Sequence, residues 1–171
     1  RASAADGDGF HWIDDPAAGT ADLLCGDQPV LRYMYACDDS TPERREEKYK
    51  VYHHVFGPGT GTLITKGAGG KYPHHRGLYA GWKATKFEGR ELDFWHCNHG
   101  EQQRHVRFVD LSGTPETGTM TAEIVWNDPD GKPVVTETRT VTVSKTSADN
   151  GSKFAWQIDW STSLSSNRGT I

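Results

Sequence analysis

Cysteine is scarce in this chain: Cys25, Cys37 and Cys97 stand among 171 residues. Three are too few for a disulfide framework. A Cys25–Cys37 bridge clipping a hairpin and a pair of buried thiols are both open readings, so cysteine usage does not fix the compartment. Long apolar runs are also missing. The longest resemble Val134-Val135 and Ile124-Val125-Trp126, whereas a membrane-spanning helix needs roughly 20 apolar residues. No membrane span is expected. Positive charge is in deficit, with 19 Lys and Arg against 23 Asp and Glu and a net charge of −4. That excludes the basic footprint of a nucleic-acid binder. Helical patterning is almost absent. Only Pro42-Glu43-Arg44-Arg45-Glu46-Glu47-Lys48 suits a helical turn, and its charge reads as a solvated loop.

Aromatic residues are what the chain has in quantity: six Trp, six Tyr and six Phe. Each buries a large area, so they can build a core from few aliphatic residues. The dominant local pattern is β. Val30–Tyr35, Val51–Phe56, Thr62–Thr65, Gly77–Lys83 and Arg104–Leu111 read as strands. Thr119–Asn127 alternates, with Met120, Ala122, Ile124 and Trp126 on one face. Asp128-Pro129-Asp130-Gly131 is a turn with Pro early and Gly late. Val134–Val143 and Lys153–Leu164 continue the alternation, so Trp126 to Trp160 predicts a three-strand antiparallel meander. Ser147–Ser152 between them reads as a loop.

Many short strands with Gly/Pro turns argue for a soluble, all-β antiparallel β-sandwich, supersandwich-like in form. Residues 1–20 are expected to be a flexible N-terminal segment, with Arg1–Gly7 its loosest part and no leader sequence following. Residues 21–171 form a single β-sandwich domain. Ser165–Ile171 follows directly on a good strand, so the domain reads as a fragment whose C-terminal part is missing. Its open sheet edges would then be covered by a continuation or by another chain.

Tyr72-Pro73-His74-His75-Arg76-Gly77 is the most unusual segment. Gly67, Gly69 and Gly70 precede it and permit sharp turns or close backbone approach. In an extended segment His74 and His75 point to opposite sides, so each would join a separate polar cluster. Arg76 can bind a carboxylate or a hydroxyl pair through its fork. The alternative is a hydrogen-bonded structural corner. Asp93-Phe94-Trp95-His96-Cys97-Asn98-His99 comes second. His96 and His99 have a spacing that suits metal binding on a helix or turn, although no CxxC or HExxH pattern is present. The alternative there is an aromatic plug with surface histidines. His53-His54 lies in a strand, one ring in and one out. Glu137 and Arg139 share a face with Val135 and Val141, either as a buried salt bridge or as a site lining. The tryptophans are mostly core, with Trp82 and Trp95 best placed beside the histidines to stack on a sugar ring.

The blocks Gly69–Leu78, Asp93–His96, Trp126–Lys132 and Glu137–Thr140 resemble the PmoA-like family, a bacterial domain of unknown function often labelled methane oxygenase. The likeness runs from about Val30 to Leu164, and the His-His-Arg-Gly and Asp-Phe-Trp blocks are its most specific parts. The resemblance implies a longer β-sandwich protein of polysaccharide-degrading bacteria, hence a carbohydrate context. A periplasmic or extracellular location is favoured over a cytoplasmic one.

The first reading is an enzyme, or a former enzyme, acting on a carbohydrate or polyol. His74, His75 and His96 supply acid/base groups or metal ligands. His54, Arg76, Trp82, Asp93, Trp95, Glu137 and Arg139 bind. A divalent metal would draw its ligands from His74, His75, His96 and His99. The rival is a non-catalytic glycan- or protein-binding module in a larger assembly. A third reading, a metal-dependent oxygenase, follows the family label. The single-site form of the first reading requires the His74–Arg76 and Asp93–His99 segments to face one cleft.

Overall fold

A computed structural model describes residues 9–148, 154–166 and 168–169. The expected flexible start, Arg1–Gly7, and most of the expected loop Ser147–Ser152 lie outside the described residues. In chain order the elements are β1 (Phe10–Asp15), β2 (Thr20–Cys25), β3 (Gln28–Met34), α1 (Pro42–Lys48) and β4 (Tyr52–Val55). Then come β5 (Thr85–Phe87), β6 (Arg90–Leu92), β7 (Gln102–Gly113), β8 (Thr117–Asn127), β9 (Pro133–Thr146) and β10 (Ala155–Ser165). One four-stranded sheet runs β1-β2-β3-β4, a second runs β10-β9-β8-β7, and β5-β6 is a small hairpin. All these pairings are antiparallel. The two larger sheets face each other as an all-β sandwich.

Period-2 alternation produces the second sheet. β8 buries every other residue, placing Met120, Ala122, Ile124 and Trp126 inside. β9 adds Val135, Val141 and Val143 to the same face. Its outward threonines pair across strands, Thr121 with Thr140 at 2.9 Å and Thr119 with Thr142 at 3.3 Å. The Asp128–Gly131 turn forms as expected. Asp128 Oδ1 accepts from the backbone of Asp130 and Lys132, and Gly131 takes φ 76°. From the first sheet, Leu23, Leu31, Tyr33 and Val55 complete the core.

Three expectations change, and one open reading is decided. Residues 10–20 are not a flexible end: Phe10 is buried in β1, and β1 pairs with β2 along its whole length. Pro42–Lys48 is a helix rather than a loop. Thr41 caps it by accepting from the Arg44 N–H, and Pro42 suits its first turn. Thr62–Thr65 and Gly77–Lys83 each contribute only a single bridge, Leu63 to Phe56 and Leu78 to His53. The Cys25–Cys37 bridge does not form. Cys25 pairs with Gln28 at one end of the β2–β3 hairpin, while Cys37 follows Met34 at the other. Five residues of strand, about 17 Å, separate those ends.

His53 is the inward histidine of the β4 pair. It is fully buried, stacked on Tyr33 at 4.6 Å, with the Trp160 ring 5.5 Å away. Neither ring nitrogen has a hydrogen-bond partner among the described residues. Burial, and then the charge of Arg139, push its pKa well below 6.5. The folded chain therefore keeps His53 neutral where the unfolded chain protonates it. Below about pH 6.5 the unfolded state binds more protons, so stability falls as pH drops toward the folded pKa. His54 and His105 are shifted in the same direction, chiefly by burial. His53→Phe keeps the stack and removes one titrating group. It is expected to flatten the acid limb by up to about 1.4 kcal/mol per pH unit. Urea unfolding between pH 7 and pH 5 measures this, and an unchanged slope would contradict the assignment.

Candidate functional site

Two loops build the site. The first follows β6. Asp93 Oδ1 accepts from the N–H groups of Trp95 at 3.0 Å and His96 at 2.8 Å, and the Cys97 N–H donates to the Asp93 carbonyl at 2.8 Å. This one tight turn ends in the left-handed conformation at Cys97, φ 56°. Buried groups hold it from behind. Glu101 accepts from the Asp93 and His99 N–H groups, both at 3.0 Å. Arg45 of α1 donates to the carbonyls of Cys97 at 2.9 Å and Glu101 at 3.0 Å. Lys50, 1% exposed, donates to the Trp95 carbonyl and lies 4.1 Å over the Tyr79 ring. Burial lowers the Lys50 pKa to about 8, aided by the charge of Arg76 and opposed by Cys97 and Asp93.

The second loop is the long irregular stretch between β4 and β5, a length that in compact domains usually signals function. Arg76 is its anchor. It is 2% exposed and donates from Nε to the Pro73 carbonyl at 2.8 Å, from Nη1 to Glu47 at 2.7 Å, and from Nη2 to Glu46. Its guanidinium lies 4.1 Å over Tyr49. Lys66 draws in the carbonyls of Gly67, Gly69, Tyr72 and His75. Two glycines let this loop reach its neighbours. A Cβ on Gly77 would sit 1.9 Å from the His53 carbonyl oxygen, and one on Gly81 would sit 2.5 Å from that of Phe94. A side chain at Gly77 would push the second loop off β4, and one at Gly81 would push the two loops apart.

Brought together, the rings form one cluster. His74 meets His75 at 4.3 Å and His96 at 4.4 Å, both edge to face. His75 stacks on Tyr72 at 5.4 Å, and Trp95 lies 6.0 Å from His75 and 5.2 Å from Tyr79. His96 Nδ1 is 2.7 Å from Asp93 Oδ2. Burial works to raise the Asp93 pKa. The backbone and ring hydrogen bonds from His96, its charge and the Trp95 N–H outweigh burial and hold the carboxyl below its usual range. An ionised carboxylate only accepts, so Nδ1 carries a proton, and in the neutral ring Nε2 is the nitrogen with the lone pair. His74 is pushed down by burial and then by the positive charges of His96, His75 and Lys50, which favours the neutral ring.

Through His75, Tyr79 and Trp95 the cluster borders a groove. One part, about 370 Å³, is lined by His75, Arg76, Gly77, Tyr79 and Trp95. The next, about 580 Å³, shares Gly77, Tyr79 and Trp95 and continues to Leu78, Ile158 and Trp160. These volumes fall in the range of small-molecule sites. A separate hollow of about 280 Å³ lies by Lys50, Tyr52 and Gly69. The Lys50 ammonium is already committed to the Trp95 carbonyl.

Several expected site residues lie elsewhere. His74 and His75 do not point to opposite sides, because a turn rather than a strand carries them. Arg76 borders the groove, but its Nε, Nη1 and Nη2 donate to the backbone carbonyls of Pro73, Glu47 and Glu46. His54 belongs to no ring cluster with His74: its Nδ1 meets Thr65 Oγ1 at 3.1 Å on β4. Trp82 packs on Trp126 at 5.1 Å, and only its carbonyl helps, accepting from the Trp95 N–H at 3.1 Å. Glu137 and Arg139 are fully buried partners at 2.7 Å, so they line no open site. The candidate metal ligands His74, His75, His96 and His99 do not converge. His99 is exposed, and edge-to-face packing aims the other rings at one another's faces. Among the described residues no group of three or more His, Cys, Asp or Glu side chains is arranged to hold a metal ion. Tyr79, Lys50, Glu101 and Trp160 were not expected at the site. Trp160 carried the only advance signal, as an aromatic on an alternating strand.

No helix among the described residues is long and apolar enough to cross a membrane. No curated protein and no solved structure matches the chain. A family model does match, over residues 20–171, and its description is a family of unknown function, DUF6807. That span takes in every strand but β1, both site loops and the groove, and the chain belongs to the DUF6807 family.

Proposed function

We propose that the groove binds a carbohydrate or related polyol and that His96, with Asp93 behind it, transfers a proton on the bound ring. The observation that carries this reading is the 2.7 Å Asp93–His96 contact beside a groove walled by Tyr79, Trp95 and Trp160. A carboxylate fixes the tautomer and orientation of an imidazole general base. Aromatic faces suit the apolar faces of a sugar ring. His74 is the second acid/base group, held beside His96 at 4.4 Å. His75 and Trp95 form the wall next to it.

The arrangement favours proton abstraction, as in epimerisation or elimination, over hydrolysis by paired carboxylates. Two free carboxyl groups normally flank a glycosidic bond that is hydrolysed. Here both nearby carboxylates, Asp93 and Glu101, are tied to backbone N–H groups. The PmoA-like resemblance of the Tyr72–Gly77 and Asp93–His96 blocks supports the carbohydrate context. The aromatic walls also fit a second reading, a glycan-binding module without turnover.

Calorimetric titration with a panel of neutral and acidic oligosaccharides tests the proposal. At least one is expected to bind, and Trp95→Ala is expected to weaken it by about tenfold, the worth of one ring-stacking contact. Binding that ignores Trp95→Ala would remove the groove from the account. Binding with no turnover by any assay would select the module reading.

A further inference from the structure

Three cations stand behind the histidine end of the groove without a carboxylate partner. Lys50 and Arg76 are buried, and Arg45 is partly buried. Lys50 donates to the Trp95 carbonyl, Arg76 to those of Pro73, Glu47 and Glu46, and Arg45 to those of Cys97 and Glu101. Among the described residues no ion pair includes any of the three. The nearby carboxylates are engaged elsewhere, Asp93 with the His96 ring and Glu101 with the Asp93 and His99 N–H groups. Glu46 and Glu47 are exposed. Buried charges are ordinarily paired, because taking a lone ion out of water is costly. Carbonyl dipoles offset part of that cost and leave the positive charge itself uncancelled. That charge borders the groove. Arg76 lines it beside His75, Tyr79 and Trp95. The Lys50 ammonium lies 4.1 Å over the Tyr79 ring. Its field reaches the ring cluster: after burial and the charges of His96 and His75, it is the next cause of the low His74 pKa. Tyr79 Oη is buried and has no hydrogen-bond partner among the described residues. Its O–H is a donor without an acceptor.

We propose that the sugar held in the groove is a uronate, with its carboxylate at the His75–Tyr79 end, where Lys50 and Arg76 supply counter-charge and the Tyr79 hydroxyl donates. The inference rests on the reading of His96 as a proton-transfer group and supplies what that reading needs. A C–H on a carbon that carries only hydroxyls is too weak an acid for an imidazole. A C–H next to a carboxylate becomes acidic enough once positive charge neutralises that carboxylate. As this C–H bond breaks, His96 Nε2 takes the proton, and the electron pair spreads onto the carboxylate oxygens as an enolate. Fixed positive charge and an oriented O–H beside those oxygens stabilise the charge that develops there. A neutral sugar would leave the buried cations uncompensated and the Tyr79 hydroxyl unpaired.

Calorimetric titration of the whole chain with three matched ligands tests this: a uronate oligosaccharide, its carboxyl-reduced counterpart, and a sulfate ester of that neutral sugar. The uronate is expected to bind about tenfold tighter than the reduced sugar, the worth of one hydrogen bond to a charged group. It should also bind tighter than the sulfate ester, and its preference should shrink as salt is raised. Tyr79→Phe removes only the hydroxyl, and Lys50→Met removes a buried charge at similar length. Each is expected to erase most of the preference and leave the affinity for the reduced sugar unchanged. Near-UV circular dichroism checks that both keep the fold, and if Lys50→Met fails that check, Tyr79→Phe decides alone. A reduced sugar that binds as tightly as the uronate, in a Trp95-dependent way, overturns this inference and leaves the groove reading standing. A sulfate ester that binds as tightly as the uronate, or a preference that the folded variants retain, also overturns it. Uronate binding without exchange of the C–H beside the carboxylate for deuterium in heavy water keeps the uronate site and removes proton transfer by His96.

Discussion

Replacing His96 by alanine is expected to lower turnover by about 10²–10⁴-fold, the usual worth of a positioned general acid or base. Its effect on folding stability should be small. His96 is held by its own turn, and 24% of its side chain is exposed to solvent. Asp93→Asn is the sharper variant. The amide oxygen can still accept from the Trp95 and His96 N–H groups, so the turn survives. The amide nitrogen, however, donates toward Nδ1 and moves the ring proton to Nε2, where the base must be free. A loss of the same order is expected, mainly in kcat. Equal losses of activity and stability in Asp93→Asn would assign the dyad a structural role only.

Glu137→Ala is expected to cost about 3–5 kcal/mol of stability, the largest such effect in the molecule, because it leaves a buried cation without its counter-ion. The Glu137 carboxylate takes four hydrogen bonds: Trp126 Nε1 at 2.8 Å, Arg139 Nε at 2.7 Å, Arg139 Nη2 at 3.0 Å and Thr162 Oγ1 at 2.7 Å. Arg139 also lies 4.6 Å over the Trp160 ring. Removing both charges together, as Glu137→Leu with Arg139→Met, replaces the pair by apolar bulk. That double variant strands no charge but leaves the buried Trp126 Nε1–H without its acceptor, so it should recover part of the loss and stay about 1–3 kcal/mol below the parent. Urea unfolding of Glu137→Leu, Arg139→Met and the double variant completes the cycle. A Glu137→Ala chain that unfolds like the parent but loses sugar affinity would return this pair to the binding surface.

The strands were legible where one face alternates cleanly, as in Thr119–Asn127 and Val134–Val143. There burial on one side and water on the other impose a period of two. The Asp128–Gly131 turn was legible because Asp, Pro and Gly each have a local reason to be there. α1 was misread because its seven residues show no apolar stripe. Its role is to present carbonyls to Arg76 and a guanidinium to the Asp93 turn, which are tertiary contacts. The joining of His74, His75 and His96 was legible as a composition. The geometry was not, because it depends on where Gly77 and Gly81 let the backbone press against His53 and Phe94. Arg76 was the reverse case. Its residue type suggested a ligand, and its surroundings made it an internal strut. Lys50 and Glu101 gave no local sign, since they hold backbone groups: the Trp95 carbonyl 45 residues away for Lys50, and the Asp93 and His99 N–H groups eight and two residues back for Glu101.

Histidine-ring and indole NMR during titration with the tightest-binding oligosaccharide tests the central claim most directly. The Nδ1 proton of His96 should appear at low field in the free chain, as expected for a hydrogen bond to a carboxylate. Added sugar should shift the His96, His74 and Trp95 ring signals together, and leave His54 and Trp82 unmoved. Shifts confined to residues outside the groove, or a His96 ring that carries its proton on Nε2, would contradict the account.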